Sequence, residues 1–189
     1  MRRAAQVVSV AFVCALLGLL VWKLAHNDSG AVAKDVNQNQ IVAAPNFTRP
    51  RVDTSGNMSL ASLRGKVTVL NFWQSYCPPC TQEARTLAQS SERWKNQGVV
   101  FVGVDVQDLR SPALKFMRRF DIKYPIVADG GPLVGRYGVT GYPETFFVTG
   151  NGCVVPPHIV GPASHADLNK GIRNALKHAN TSCGSGTET

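Results

Sequence analysis

Residues 67–80 read Val67-Thr68-Val69-Leu70-Asn71-Phe72-Trp73-Gln74-Ser75-Tyr76-Cys77-Pro78-Pro79-Cys80. The first seven are an apolar run rich in β-branched and aromatic residues, which predicts a buried central strand. The run leads straight into the pair Cys77 and Cys80, and a helical stretch follows to about Asn96, closed by Gly98. A CxxC pair is either half of a zinc site or a dithiol redox centre. Structural zinc needs two further Cys or His ligands at suitable spacing. The remaining candidates, Cys153, Cys183, His158, His165 and His178, form no second close pair. Placement between a buried strand and a helix start favours redox chemistry, with no metal and no cofactor beyond the disulfide itself.

The position has a physical reason. A thiolate, not a thiol, attacks a disulfide, and the unpaired N–H groups of a helix N-terminus stabilise that charge. Cys77 is expected at the terminus as the attacking thiol, with Cys80 one turn inside to resolve the mixed disulfide. Pro78 and Pro79 lack N–H groups, which removes two donors from near the Cys77 sulfur. Less thiolate stabilisation makes a less oxidising couple and leans towards a reductase. Glu83 falls three residues after Cys80 on the same helical face. It reads equally as a first-turn carboxylate suited to the helix dipole and as a base for the Cys80 proton.

Outward from this stretch, residues 99–106 (VVFVGVDV) make a second buried strand. Ser111 and Pro112 suit the N-cap and first position of another helix. Residues 124–128 are strand-like, and 132–137 can hold a short helix. Residues 144–149 and 153–160 have hairpin spacing around Gly150-Asn151-Gly152. Ser164 caps a last amphipathic helix carrying Leu168, Ile172 and Leu176 on one face. The order is that of an α/β fold in which a parallel βαβ unit feeds an antiparallel pair. Tyr142-Pro143 lies just before the strand at 144–149, as an ordinary turn proline or as a cis bond presenting the Tyr142 backbone to a substrate.

Residues 4–24 are almost wholly apolar behind Arg2 and Arg3, close to the ~20 residues needed to cross a bilayer. The basic start places the N-terminus in the cytoplasm and the domain outside, with Trp22 and Lys23 at the far interface. A cleaved signal peptide competes, but the small-x-small pattern at Ala31-Val32-Ala33 lies well past the apolar run. Cys14 reads as a small apolar filler of that span. The expected organisation is a signal-anchor over 1–25, a flexible linker over 26–44, one domain over 45–180 and a disordered tail over 181–189.

Formal charge is +8, and residues 27–189 hold 17 basic and 12 acidic residues without a long Lys/Arg block. A nucleic-acid role is therefore not expected. The cluster Lys115, Arg118, Arg119 and Lys123 reads as a solvated helix face, with attraction to anionic headgroups the lesser option. An exported domain lies where disulfides persist. Cys153 and Cys183 are either bridged or separate thiols, and the compartment favours a bridge. His158, His165 and His178 read as surface residues or packing partners.

The run NFWQSYCPPC followed by TQE resembles the WxxWCxPC-and-glutamate site of membrane-tethered thioredoxin-like proteins. These are the TlpA, ResA and DsbE (CcmG) group of thiol–disulfide oxidoreductases. The similarity runs from about Pro45 to Asn180, through GVTGYPETFFVTGNG to the final helix. It implies a thioredoxin fold, a central mixed sheet flanked by helices, with an N-terminal β-hairpin extension and a membrane anchor. It implies Cys77 as nucleophile, Cys80 as resolving thiol, Glu83 in proton transfer and Pro143 as a cis-proline. Trp73, Tyr76, Pro78, Pro79, Tyr142, Pro143 and Glu144 are the implied substrate-binding residues. Asn71 stands where cytosolic thioredoxins have a buried aspartate. GYPETFF is similar to the cytochrome c maturation branch. That branch implies reduction of apocytochrome c on the periplasmic side, with electrons from a membrane protein of the DsbD or CcdA type.

Gln74 and Tyr76 depart from the commoner Ala and Trp, which puts the substrate rather than the chemistry in question. A general disulfide reductase and a disulfide-forming oxidase are the alternatives of the same fold. A peroxidase would want Thr or Ser where Gln74 stands. A copper chaperone using Cys77, Cys80 and His158 is a distant third, since soft thiolates suit Cu(I).

Overall fold

The computed structural model describes residues 12–19 and 31–184. Residues 12–19 are helical, and the rest of the expected anchor lies outside the described residues. Among the described residues no helix is long and apolar enough to cross a membrane.

Strand β4, Val67–Trp73, is buried along its whole length, as a run flanked on both faces must be. It pairs in parallel with β5, Val99–Val106, which pairs in parallel with β6, Ile126–Asp129. On its other side β4 pairs antiparallel with β7, Glu144–Val148, followed by β8, Cys153–Val160, and by the two-residue β1, Val42–Ala43. The sheet order is β1-β8-β7-β4-β5-β6. The expected N-terminal hairpin is β2, Thr48–Pro50, with β3, Asn57–Ser59, leading to a 3₁₀ turn at Leu60–Leu63.

Alternation along the strands sends side chains to two cores. One face packs Val69, Trp73, Phe101 and Phe147 beneath α2 (Pro78–Trp94), α3 (Arg110–Arg119) and α5 (His165–Lys177). On α5 the buried residues are Leu168, Gly171, Ile172 and Ala175, and Leu176 is exposed. Gly171 is required there, because a Cβ would run into the Phe147 ring. The opposite face packs Leu70, Phe72, Val104 and Phe146 beneath α1 (Ala31–Asn37) and α4 (Pro132–Tyr137).

Three sequence expectations change. The linker expected over 26–44 contains α1, whose Val32, Ala33 and Val36 are buried, and β1, which extends the sheet. An uncovered apolar sheet face needs a lid, and α1 supplies part of it. The tail expected from 181 is tied down as far as Gly184, whose N–H bonds Ile41 O at 2.9 Å. Cys183 is joined to Cys153 by a disulfide closing a separation of 30 residues. Helix α3 starts at Arg110 with Leu109 as N-cap, not at Pro112 with Ser111 as N-cap. Pro112 sits in the first turn, where its missing N–H has no intrahelical partner to lose.

Candidate active site

The cysteine loop leaves the C-terminal end of β4 and enters α2 with Cys77 as the N-cap residue. The prolines occupy the first two helical positions, which their fixed φ suits. Their missing N–H groups leave the third position to cap the helix. The Cys80 N–H points at Cys77 Sγ across 3.1 Å. The two sulfurs are bonded to each other in this oxidised state. Cys77 keeps 8% of its surface exposed and Cys80 2%, so an incoming group reaches Cys77 first.

Across the loop, Tyr142 O lies 3.4 Å from Cys77 Sγ, and the Tyr142–Pro143 bond is cis. Tyr76 is 64% exposed beside the pair, Pro78 is exposed, Pro79 and Tyr142 are half-buried, and Pro143 is buried.

Glu83 is buried on the inner face of α2, with 1% of its surface exposed. Asn71 Nδ2 donates to its Oε1 at 2.7 Å, and the Ala163 N–H donates to its Oε2 at 2.7 Å. Asn71 also donates to Thr145 Oγ1 at 3.0 Å, which fixes its amide on the sheet. Burial outweighs the two hydrogen bonds and raises the carboxyl from 4.5 to about 7.

Two residues expected to touch substrate do not reach the surface. Trp73 is 3% exposed, with its ring 4.6 Å from that of Phe116, and serves as the floor of the loop. Glu144 is fully buried on the opposite side of the sheet from Glu83. Its Oε1 accepts from Thr140 N (2.9 Å), Thr140 Oγ1 (3.0 Å) and Gly141 N (3.0 Å), so it pins the turn before Tyr142. Its Oε2 is hydrogen-bonded to His158 Nε2 at 2.8 Å. Burial alone would raise Glu144, but the His158 bond and the Thr140 donors hold it below the ordinary carboxylate range.

His158 is therefore neither a surface residue nor gathered with the thiols. Its side chain is 2% exposed, stacked on Phe146 at 4.2 Å, with Nδ1 3.3 Å from Asn37 Oδ1. A shift of register places Pro156, Pro157 and His158 of β8 opposite Phe146 alone, and because the shift is of two residues it keeps His158 on the face of Val154 and Phe146. Among the described residues, no group of three His, Cys, Asp or Glu could hold a metal ion. His165 and His178 are packing partners: His165 Nδ1 meets Ser90 Oγ at 2.9 Å, and His178 Nδ1 meets Asn174 O at 2.9 Å.

Sequence reasoning missed Asp105. It faces Trp73 in the β4–β5 register and is buried, with no donor to its Oδ1 among the described residues. Burial first, and Asp108 second, raise it to about 8. Asp108 in turn accepts from the Ser75 N–H at 2.8 Å, which anchors the cysteine loop. The signal was there to find: a lone acid inside an otherwise apolar strand.

The sequence matches the AhpC/TSA family over residues 42–156, more than half of the chain. The chain belongs to that family. It is 30% identical over 159 residues to the thiol:disulfide interchange protein DsbE of Escherichia coli, covering 82% of this chain and 84% of that one. Against the thiol-disulfide oxidoreductase ResA of Bacillus subtilis it is 35% identical over 114 residues. That match covers 59% of this chain and spans 63% of the ResA length. A thioredoxin-family thiol:disulfide interchange protein of Chlorobium tepidum superposes with a TM-score of 0.65 at 33% identity, over 72% of this chain and 97% of that one. With the Cys77–Cys80 disulfide at a helix N-terminus, this is a thioredoxin-fold thiol–disulfide oxidoreductase of the ResA/DsbE type.

Proposed function

We propose that the protein reduces disulfides in other proteins on the extracytoplasmic side of a membrane, to which residues 4–24 anchor it. The observation that carries the direction is the double proline at the first two positions of α2. It leaves the Cys80 N–H as the hydrogen-bond donor at the Cys77 sulfur. A modestly stabilised thiolate belongs to a reducing couple, because a strong oxidant owes its potential to a stabilised reduced form.

The reaction starts from the dithiol. Cys77 thiolate attacks one sulfur of the substrate disulfide and expels the other as a thiolate. Cys80 then loses its proton and attacks Cys77 Sγ, which releases the second substrate thiol and leaves the Cys77–Cys80 disulfide. Two electrons pass to the substrate. Glu83, one turn beyond Cys80 and raised to about 7, takes the Cys80 proton. Tyr76, Pro78 and the Tyr142 backbone form the surface for the substrate chain, which pairs with Tyr142 as an added strand. Pro79 and Pro143 shape that surface from below, and the Cys153–Cys183 bridge is structural.

The likeness to DsbE supports apocytochrome c as the substrate and a membrane electron donor of the DsbD or CcdA type. The test of direction is the reduction potential of Cys77–Cys80. A value near or below about −270 mV, the thioredoxin level, is expected, and one near about −120 mV would make the protein an oxidase. The test of substrate is the rate on an oxidised Cys-x-x-Cys-His peptide against a scrambled control. Faster reduction of the first supports apocytochrome c, and equal rates assign a general reductase.

A further inference from the structure

Strand β1 pairs with Cys153 and Val154 of β8, so among the described residues the edge at Pro156, Pro157 and His158 has no strand beside it. A cleft of about 640 Å³ opens there between α1 and α5. That volume is in the range of small-molecule sites rather than of a single ion. Its α5 wall carries Lys170, Arg173 and Lys177, spaced to share one helix face away from buried Leu168 and Ile172. Its α1 side supplies the amides of Asn37 and Asn39. No carboxylate lines it, and none of the three cations forms an ion pair among the described residues.

The inner wall is fixed rather than fluid. Asn174 Nδ2 donates to Pro156 O at 2.7 Å, tying α5 to the strand edge. His158 is held between Asn37 and Glu144. Three cations and two amides converge on one preformed concavity. Lys170 feels the Asp167 carboxylate one turn back, and Arg173 and Lys177 are in no ion pair among the described residues, so positive charge is left over. Arg173 offers a planar fork that matches phosphate oxygens, and the lysines add point charges. The prolines and Val36 give an apolar wall for the body of the ligand.

We propose that this cleft is a binding site for a phosphate ester of about headgroup size. The chemistry has two sources, a soluble phosphate ester or the headgroup of an anionic lipid. The apolar run ends at Leu24 and α1 begins at Ala31. If residues 4–24 span the membrane, a link of that length reaches at most about 25 Å, which keeps the cleft near the headgroups.

The experiment uses the full chain in phosphatidylcholine nanodiscs and reads amide hydrogen exchange across α1 and α5. One arm adds glycerol 1-phosphate, and the other replaces part of the lipid with phosphatidylglycerol. With ligand about tenfold above its Kd, exchange through local opening of these helices slows about tenfold. Slowing in the first arm alone assigns a soluble ester, and slowing in the second alone assigns the lipid. The effect is expected to vanish in the Lys170→Gln, Arg173→Gln, Lys177→Gln triple variant. It should survive in Lys115→Gln, Arg118→Gln, Arg119→Gln, which removes the same charge from α3. No slowing in either arm, or equal behaviour of the two triple variants, would overturn the proposal.

Discussion

Replacing Glu83 with Gln isolates the proton that the buried carboxyl holds. In the folded protein Glu83 is raised from 4.5 to about 7. Between those values the folded state binds more protons than the unfolded chain, so stability falls as pH rises and levels off above about pH 7. A tenfold change in proton affinity is worth about 1.4 kcal/mol, which makes the loss about 3 kcal/mol across the window. Glu83 is almost completely buried, so solvent screening takes little from that figure.

Gln removes the titration but also places an NH₂ group where Asn71 Nδ2 and the Ala163 N–H both donate. One of those donors loses its acceptor, at about 1–3 kcal/mol. That penalty does not depend on pH. Nor does the titration of Asp105, which is common to both proteins, enter the difference. The measurement is urea unfolding of oxidised protein in nonionic detergent at pH 4.5, 6, 7 and 8, for wild type and Glu83→Gln. The wild-type stability minus that of the variant should fall by about 3 kcal/mol from pH 4.5 to 7 and then stay flat. A difference constant across the series would mean that Glu83 titrates near its ordinary value, and the proton-transfer role would go with it.

Cys80→Ser should trap a mixed disulfide between Cys77 and substrate, seen on a non-reducing gel, whereas Cys77→Ser should trap none. His158→Ala leaves Glu144 Oε2 buried without its partner and should cost about 3 kcal/mol in urea unfolding at pH 7. A cost below that of an exposed substitution, about 0.5 kcal/mol, would show that the loop does not depend on His158. Cys153→Ser with Cys183→Ser opens a loop closed across a separation of 30 residues and should lower stability by about 3–4 kcal/mol, with Cys77–Cys80 exchange retained.

The strands and the thiol pair were legible because each is written locally. β4 carries its seven buried residues in one uninterrupted run, and Cys77 to Cys80 sits at the step from that run to a helix. Ser164 at the start of α5 is likewise a local signal, and it forms a full capping box with Asp167. What could not be read depends on partners far away in sequence. Val32, Ala33 and Val36 look like stray apolar residues in a polar stretch until the Phe72 and Phe146 side of the sheet needs a cover. His158 carries no mark of burial in its neighbours, because the residues that hold it, Asn37 and Glu144, are 121 and 14 positions away. Asp105 is the intermediate case. Its strand could be read, and its charge in that strand was the clue.

The two buried glutamates show how donor number separates roles that burial alone would merge. Glu83 and Glu144 both expose almost no surface and lie on opposite faces of the β4–β7 pair, Glu83 the more deeply packed of the two. Glu83 accepts two hydrogen bonds from neutral groups, too few to offset desolvation, and so it can gain and lose a proton near neutrality. Glu144 accepts three from Thr140 and Gly141 and a fourth from His158, enough to keep it ionised. The first has the proton affinity that the proposed transfer from Cys80 requires, whereas the second is a fixed charge that shapes the turn behind Tyr142. Because His158 also reaches Asn37, that turn is braced by the segment that leads towards the expected membrane anchor. The brace thus runs from Asn37 through His158 and Glu144 to the turn before Tyr142, whose carbonyl oxygen lies 3.4 Å from Cys77 Sγ.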